Sequence, residues 1–137
     1  TLRQNLTLPL EYHPNFELAG GVDRIEFLVE EFGLTRFQHK RPSDVPGSFR
    51  KLTVVLRAFV MHPDLLVLDD PSTGLTDELK AKLKKMIKNE LEKGFTKHVL
   101  IVSKDKHFIE GLCAYDLEIN DSKLNLIKNE QTKVKVS

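Results

Sequence analysis

The feature that most constrains this chain is a run of four apolar residues, 65–68, that ends in Asp69 and Asp70. Such an unbroken run is typical of a central strand in a parallel sheet that is buried on both faces. Ligands of open α/β sheets bind at the carboxyl ends of the strands, where these two carboxylates lie. Asp69 is therefore a candidate ligand for Mg²⁺, and Asp70 a candidate to orient an attacking water. The alternative is that Asp69, Asp70 and Pro71 are only the polar exit of a strand.

The segments after this run alternate between helix and strand. Residues 77–93 are predicted to form an amphipathic helix, followed by Gly94, with its five lysines up to Lys88 on a solvated face. Residues 98–103 predict a second buried strand, and residues 104–113 a further helix. Two apolar stretches that flank residues 120–122 predict a β-hairpin, and the tail from Asn129 is expected to fray. This order indicates an α/β fold with a parallel sheet.

The first 64 residues are predicted to form a separate helical lobe. Residues 1–12 predict a short helix followed by an extended piece that ends near Pro9. Loops are expected at residues 13–15 and at Gly20–Gly21. A helix that starts at Val22 should end at Gly33, residues 38–46 read as a loop, and a second helix should run from Gly47 to His62.

Composition sets broad limits on the class of protein. The chain has 137 residues, enough for one domain with a core, and its 21 basic and 20 acidic residues leave a net charge of +1. That balance gives no electrostatic argument for nucleic acid as a partner. Cys113 is the single cysteine, which excludes an internal disulfide, and the five histidines lack zinc-ligand spacing. Because the sequence opens at Thr1 inside an apolar-periodic segment, we expect a truncated chain.

Residues 57–76 resemble the ABC-type ATPase family from the end of the signature helix, through the Walker B strand, to the D-loop. The shared pattern is a helix end, a proline, four apolar residues, an acidic pair with proline, and a serine-containing turn. Residues 42–51 occupy the place of the signature motif, and residues 99–105 that of the switch-histidine strand. The resemblance implies a partial P-loop NTPase fold, with a parallel-sheet core and a helical signature subdomain. Residues 1–64 would form the helical part and residues 65–137 the C-terminal part of the core.

The resemblance also implies ligands and roles. ATP and Mg²⁺ would be the cofactors, with Asp69 at the metal and Asp70 as the catalytic carboxylate. Lys104 stands where the family has its switch histidine, while Gly47 and Ser48 would close on ATP held by a second ATPase domain. The other implied partners are transmembrane transporter subunits, with no nucleic acid. The location implied is cytoplasmic, peripheral at the inner face of the cell membrane.

Several positions depart from the family pattern. Asp70 is one methylene shorter than the usual glutamate, and Thr76 replaces the D-loop aspartate. Pro46, Ser48 and Phe49 replace signature residues. Two interpretations of these stay open: Pro46 and Ser48 simply start a helix, or the contact with phosphate is weakened. No Gly-x-x-x-x-Gly-Lys-Ser/Thr segment occurs in the sequence, which therefore contains no Walker A motif.

Two functions follow from the pattern and its departures. In the first, the chain is part of the ATP-hydrolysing subunit of a membrane transporter. In the second, it belongs to a catalytically weak or inactive partner subunit with a regulatory or structural role. In either case we expect this portion to be inactive by itself. We also expect it to self-associate, because the sheet edge beside residues 65–68 would be unpaired and apolar.

Overall fold

The structure, a computed structural model, describes residues 1–13 and 18–129, with side chains for all of these except residues 18 and 19. The predicted loop residues Pro14 and Asn15, and the tail after Asn129, lie outside the described residues.

Three helices make up most of the first half of the chain: α1 (Leu2–Glu11), α2 (Leu18–Glu31) and α3 (Gly47–Arg57). Between α2 and α3, residues Pro42–Asp44 form a single 3₁₀ turn. The loop before that turn closes the start of α1, because its carbonyl oxygens at residues 38 and 40 accept the first amides of that helix at 2.9 and 3.1 Å. Two of the orphan donors of a helix start are satisfied in this way.

Helix α1 corrects the prediction of an extended piece near Pro9. The helix continues through Pro9 to Glu11, since Leu2, Leu6 and Leu10 are all buried at helical spacing. A proline inside a helix removes one backbone hydrogen bond. The burial of three leucines along one face outweighs that loss.

Helix α2 corrects the predicted loop at Gly20–Gly21, since both glycines lie within it. Gly21 is buried against α1, and a Cβ atom there would lie 2.6 Å from Cδ2 of Leu10. Gly21 therefore allows the two helices to approach closely. The sequence pattern had instead predicted a loop at this position. The end of α2 is as predicted, with Gly33 at a φ of 66° after the last turn.

Helix α3 starts at Gly47 as predicted but ends at Arg57, five residues before His62. Phe59 and Val60 nevertheless remain buried in the turns that follow. The apolar periodicity of this segment predicts its buried residues correctly, but it predicts a helix that is longer than the observed one.

The second half of the chain contains a two-stranded parallel sheet, in which β1 (Leu65–Asp69) pairs with β2 (His98–Val102). Helix α4 (Asp77–Glu92) connects them, as predicted, and its C-terminus is marked by Gly94 at a φ of 70°. This β–α–β order places the carboxyl ends of the two strands side by side. The register pairs Asp69 with Val102.

The predictions that the strand at residues 65–68 is buried on both faces and that the strand at residues 98–103 is buried are wrong for the described residues. Leu66 and Leu68 pack into the core, with Val99 and Ile101 partly buried beside them. The opposite face, which we call the open sheet face, consists of exposed apolar side chains. Its members are Leu65, Val67, Leu100 and Val102. No described helix covers that face, and a parallel sheet normally has helices on both sides.

The predicted helix over residues 104–113 is also too long. Helix α5 is a single turn, Lys106–Ile109, capped at its start by Asp105. Glu110 leaves the helical conformation and Gly111 has a φ of 67°, which ends the turn. Lys104 and Asp105 precede this turn: the N–H of Lys104 donates to the side chain of Asp70, and the N–H of Asp105 donates to Ser103 Oγ, so neither amide makes a helical hydrogen bond.

The hairpin is confirmed. Strands β3 (Tyr115–Asn120) and β4 (Lys123–Lys128) pair antiparallel around a two-residue turn. Asp121 and Ser122 have φ values of 50° and 61°, as a tight hairpin turn requires. Both strands are exposed along their whole length.

The buried apolar side chains form one cluster that includes residues from both halves of the chain. The predicted division into a helical part and a core part therefore has a shared interior. None of the described helices is long and apolar enough to cross a membrane.

Candidate functional site

Asp69, at the carboxyl end of β1, is exposed to solvent. Its side chain makes no hydrogen bond or ion pair with any other described residue. It lies at the last position of the strand, beside Val102 of β2. A carboxylate with all of its acceptor sites free, at the carboxyl end of a parallel strand, is suited to an oxygen-preferring cation.

Asp70 is held more tightly than its neighbour. Its N–H donates to the carbonyl of Val102 at 2.7 Å, and its carboxylate oxygen Oδ1 accepts from the N–H of Lys104 at 3.1 Å. The backbone at Asp70 has a φ of 41°, in the left-handed region that aspartate tolerates better than most residues. The second carboxylate oxygen, Oδ2, has no partner among the described residues.

Lys104 therefore meets Asp70 through its backbone. Its side chain is exposed, and its ammonium group makes no ion pair within the described part of the chain. The structure thus brings together three of the predicted site residues, Asp69, Asp70 and Lys104, at the carboxyl ends of two adjacent strands. A free ammonium group there can reach an anion as a point charge, but it cannot accept a hydrogen bond.

Asp105 is a residue whose importance sequence reasoning missed. Its Oδ2 accepts from Ser72 Oγ at 3.1 Å and from Lys80 Nζ at 2.8 Å, while its Oδ1 accepts from the N–H of Phe108 at 3.1 Å. The Lys80 ammonium, with help from the Phe108 amide and Ser72, lowers the pKa of Asp105 from 3.8 to about 2. The signal available in the sequence was an aspartate at a helix N-cap position directly after the switch residue.

Of the five lysines predicted on the solvated face of α4, Lys85 and Lys88 are exposed, while the other three are partly buried and make polar contacts. Lys80 pairs with Asp105, and Lys84 donates to the carbonyl of His107 at 3.2 Å. Lys82 pairs with Glu78 one turn earlier at 3.3 Å. The contacts of Lys80 and Lys84 anchor α4 to the segment after β2, whereas the Lys82 pair lies within the helix.

Gly47 and Ser48 occupy the first turn of α3. Their N–H groups find no acceptor among the described residues, whereas the N–H groups of Phe49 and Arg50 both donate to the carbonyl of Pro46 at 3.1 Å. Pro46 is the N-cap and supplies no side-chain cap. A helix start with two free amides can receive phosphate oxygens. A helix does start after Pro46, without a side-chain cap, and both interpretations, a simple helix start and a weakened phosphate contact, stay predictions.

Phe49 has a structural role at its position. Its ring lies 4.8 Å from the ring of Phe37 and packs against the core. The signature position can hold an apolar residue because the Phe49 side chain packs against Phe37 and the core. Thr76, at the place of the D-loop aspartate, caps α4 by accepting from the N–H of Leu79 at 3.4 Å.

Within the described part of the chain, the two halves of the predicted site make no direct polar contact. No hydrogen bond or ion pair of the described residues joins Gly47 or Ser48 to Asp69, Asp70 or Lys104. Among the described residues there is also no group of three or more histidine, cysteine, aspartate or glutamate side chains that could hold a metal. Any cation at Asp69 would need further ligands from elsewhere, such as phosphate oxygens and water.

Comparison with known proteins identifies the class. A putative ABC transporter ATP-binding protein of Pyrococcus furiosus is 30% identical over 108 residues, covering 79% of this chain and 38% of that protein. A spermidine/putrescine import ATP-binding protein of Chromobacterium violaceum is 31% identical over 99 residues, covering 70% and 27%. An uncharacterized ABC transporter ATP-binding protein of Escherichia coli is 25% identical over 103 residues, covering 74% and 19%. No protein-family model matches the chain.

The fold agrees with the sequence relatives. A solved ATP-binding subunit of an ABC transporter superposes with a TM-score of 0.77 at 20% identity, over 90% of this chain and 50% of that one. The chain belongs to the family of ABC transporter ATP-binding proteins. It spans only 19% to 38% of the length of the three curated relatives.

Proposed function

We propose that this chain is part of an ATP-binding subunit of a membrane transporter, and that the end of β1 acts on ATP bound with Mg²⁺. The observation that carries the proposal is the pairing of a free carboxylate, Asp69, with an oriented one, Asp70, at the carboxyl end of a parallel strand. Asp69 would hold the metal, which would neutralise charge on the phosphates. Asp70 Oδ2 would accept a hydrogen bond from the attacking water.

The partners follow from the same proposal. The free amides of Gly47 and Ser48 and the carboxylates at β1 lie in different parts of the chain. The resemblance to ABC-type ATPases implies that ATP lies between two domains, each supplying one of these sets of phosphate contacts. We infer a second ATPase domain and transmembrane transporter subunits as partners, at the cytoplasmic face of the membrane. The names of the relatives, which include an import protein and a permease protein, support transport without defining a substrate for this chain.

The test is steady-state ATP turnover of the complete protein that carries this chain, with and without Asp70→Asn. Removal of a general base typically lowers the rate by about 100-fold or more. The matched control is Asp64→Asn, an exposed aspartate at the other end of β1 that pairs with Lys97; it should leave turnover unchanged. Equal turnover in wild type and Asp70→Asn would remove Asp70 from the mechanism.

A second candidate is a subunit that binds ATP and hydrolyses it poorly. It is favoured by the short side chain of Asp70, one oxygen of which is already occupied by the Lys104 amide at 3.1 Å. Misplacement by about 1 Å can cost on the order of 100-fold in rate. Under this alternative the wild-type protein binds a fluorescent ATP analogue without measurable turnover, and Asp70→Glu raises turnover. A wild-type rate that Asp70→Glu lowers would exclude it.

A further inference from the structure

Two loops at the carboxyl ends of the strands hold each other through a reciprocal pair of carboxylates. We call residues 70–76 the β1 loop and residues 103–105 the β2 loop. Asp70 of the β1 loop accepts from the N–H of Lys104 in the β2 loop at 3.1 Å. In the other direction, Asp105 of the β2 loop accepts from the hydroxyl of Ser72 in the β1 loop at 3.1 Å.

Hydrogen bonds hold both the side chain and the backbone of Asp105 in place. One carboxylate oxygen, Oδ1, caps α5, while Oδ2 takes the hydroxyl of Ser72 and the ammonium of Lys80. Its own N–H donates to Ser103 Oγ at 3.1 Å. The β2 loop is therefore held on both sides of Lys104, and the direction of the Lys104 N–H is determined by its neighbours.

We propose that Asp105 is a positioning residue, which acts through the Lys104 amide to set the orientation of the Asp70 carboxylate. When the Lys104 N–H is fixed on Oδ1 of Asp70, Oδ2 is left free and points in one defined direction. A charge-assisted hydrogen bond is shorter and stronger than a neutral one. The inference rests on the proposed function only where it speaks of turnover.

A simpler role for Asp105 is that of a helix cap alone. Capping α5 uses Oδ1 only, and it leaves Oδ2 without a reason to face the β1 loop. Ser72 is 1% exposed, and its hydroxyl donates its hydrogen bond to Oδ2 of Asp105 in the other loop. A buried hydroxyl is costly unless it is paired, so this contact across the two loops is specific.

Two variants separate the cap from the contact between loops. Asp105→Asn keeps an oxygen that can cap Phe108, but its amide nitrogen cannot accept the hydrogen bonds that Ser72 and Lys80 donate. Ser72→Ala removes the hydroxyl and leaves Asp105 intact. Both changes are small, so the chain is expected to stay folded, which circular dichroism would verify.

The first measurement is amide hydrogen exchange of Lys104, followed by NMR in the complete protein that carries this chain. Asp70→Ala removes the acceptor and defines full loss of protection. We expect Asp105→Asn and Ser72→Ala each to lower the protection of the Lys104 amide about tenfold through local opening, although neither group touches that amide. Asp64→Asn, in an exposed pair at the far end of β1, should change nothing. Unchanged protection in both variants, or no loss in Asp70→Ala, would overturn the proposal.

The second measurement is turnover of the complete protein. Because Asp105 would act on orientation and not on ATP binding, Asp105→Asn should lower kcat about tenfold while KM for ATP stays within about twofold. A rise in KM with kcat unchanged would contradict the positioning role. A wild-type protein without turnover would count against hydrolysis in the proposed function, and the exchange measurement would still decide the role of Asp105.

Discussion

Asp105 accepts hydrogen bonds from three groups that belong to three different segments: Ser72 in the β1 loop, Lys80 in α4 and Phe108 in α5. The carboxylate of Asp105, which follows β2, therefore joins the β1 loop, α4 and α5. All three contacts favour its charged form, which is why its pKa is lowered to about 2. Its charge is present at every physiological pH.

The lowered pKa of Asp105 predicts how stability depends on pH. In the unfolded chain the carboxyl has an ordinary pKa of 3.8, so the unfolded state takes up its proton first as the pH falls. The stabilisation is complete above about pH 4 and is lost as the pH falls toward 2. Urea unfolding from pH 5 to 2 should show this loss, and Asp105→Asn should flatten it. Identical pH profiles would contradict the assignment.

At the scale of elements, α2 and α4 are joined by a buried ion pair. Arg24 donates to Oε1 of Glu90 at 2.7 Å, and His62 lies 3.1 Å from the other oxygen. Glu90 is 2% exposed and the Arg24 side chain 9%. Arg24 also donates to the carbonyl of Phe59 at 3.3 Å, which connects the turn before β1 to the same group.

Removing one partner of this pair should be far more damaging than removing both. Glu90→Ala leaves the Arg24 guanidinium buried without its counter-charge, and we expect a loss of about 3 kcal/mol in the free energy of unfolding. The double variant Arg24→Met with Glu90→Leu should recover most of that loss. Chemical denaturation of the single and double variants measures it. Additive losses in the double variant would show that the two residues do not depend on each other.

The elements also show what the sequence could and could not predict. The apolar stripe of α4 and the hairpin turn at Asp121–Ser122 follow from periodicity and turn chemistry, which are local. The continuation of α1 through Pro9 and the close packing at Gly21 depend on a neighbouring helix, so a local signal reads them as breaks.

The candidate site divides in the same way. The predicted places of Asp69, Asp70 and Lys104 follow from strand ends, while the Ser72–Asp105 contact joins residues 33 positions apart.

Glu90 could have been suspected, because it extends the apolar stripe of α4 by one turn. Nothing local identifies Arg24 as its partner.

At the scale of the whole molecule, the open sheet face is an exposed apolar surface that no described helix covers. Val67 is 56% exposed there, beside Leu65, Leu100 and Val102. Asp69 ends the same face at its carboxyl end, and His98 starts it on the neighbouring strand. Exposed apolar faces and strand edges favour association with other chains.

We therefore expect the 137-residue chain to self-associate in sedimentation velocity as its concentration is raised. Val67→Lys should weaken this association, because it places a charge in the middle of the open sheet face. Val54→Lys is the matched control, since Val54 is 57% exposed on α3 and lies outside that face. A monomer at all concentrations, or equal effects of the two lysines, would contradict the expectation.

The Arg24–Glu90 pair has a consequence for chimeric proteins. A designer who grafts residues 1–64 of a related subunit onto residues 65–137 of this one would leave Glu90 facing whatever replaces Arg24. Unless the donor sequence brings its own cation to that position, the graft inherits a lone buried anion. The seam between the two halves is thus a poor place to cut, and compatibility at one ion pair is the first thing to match when choosing donors.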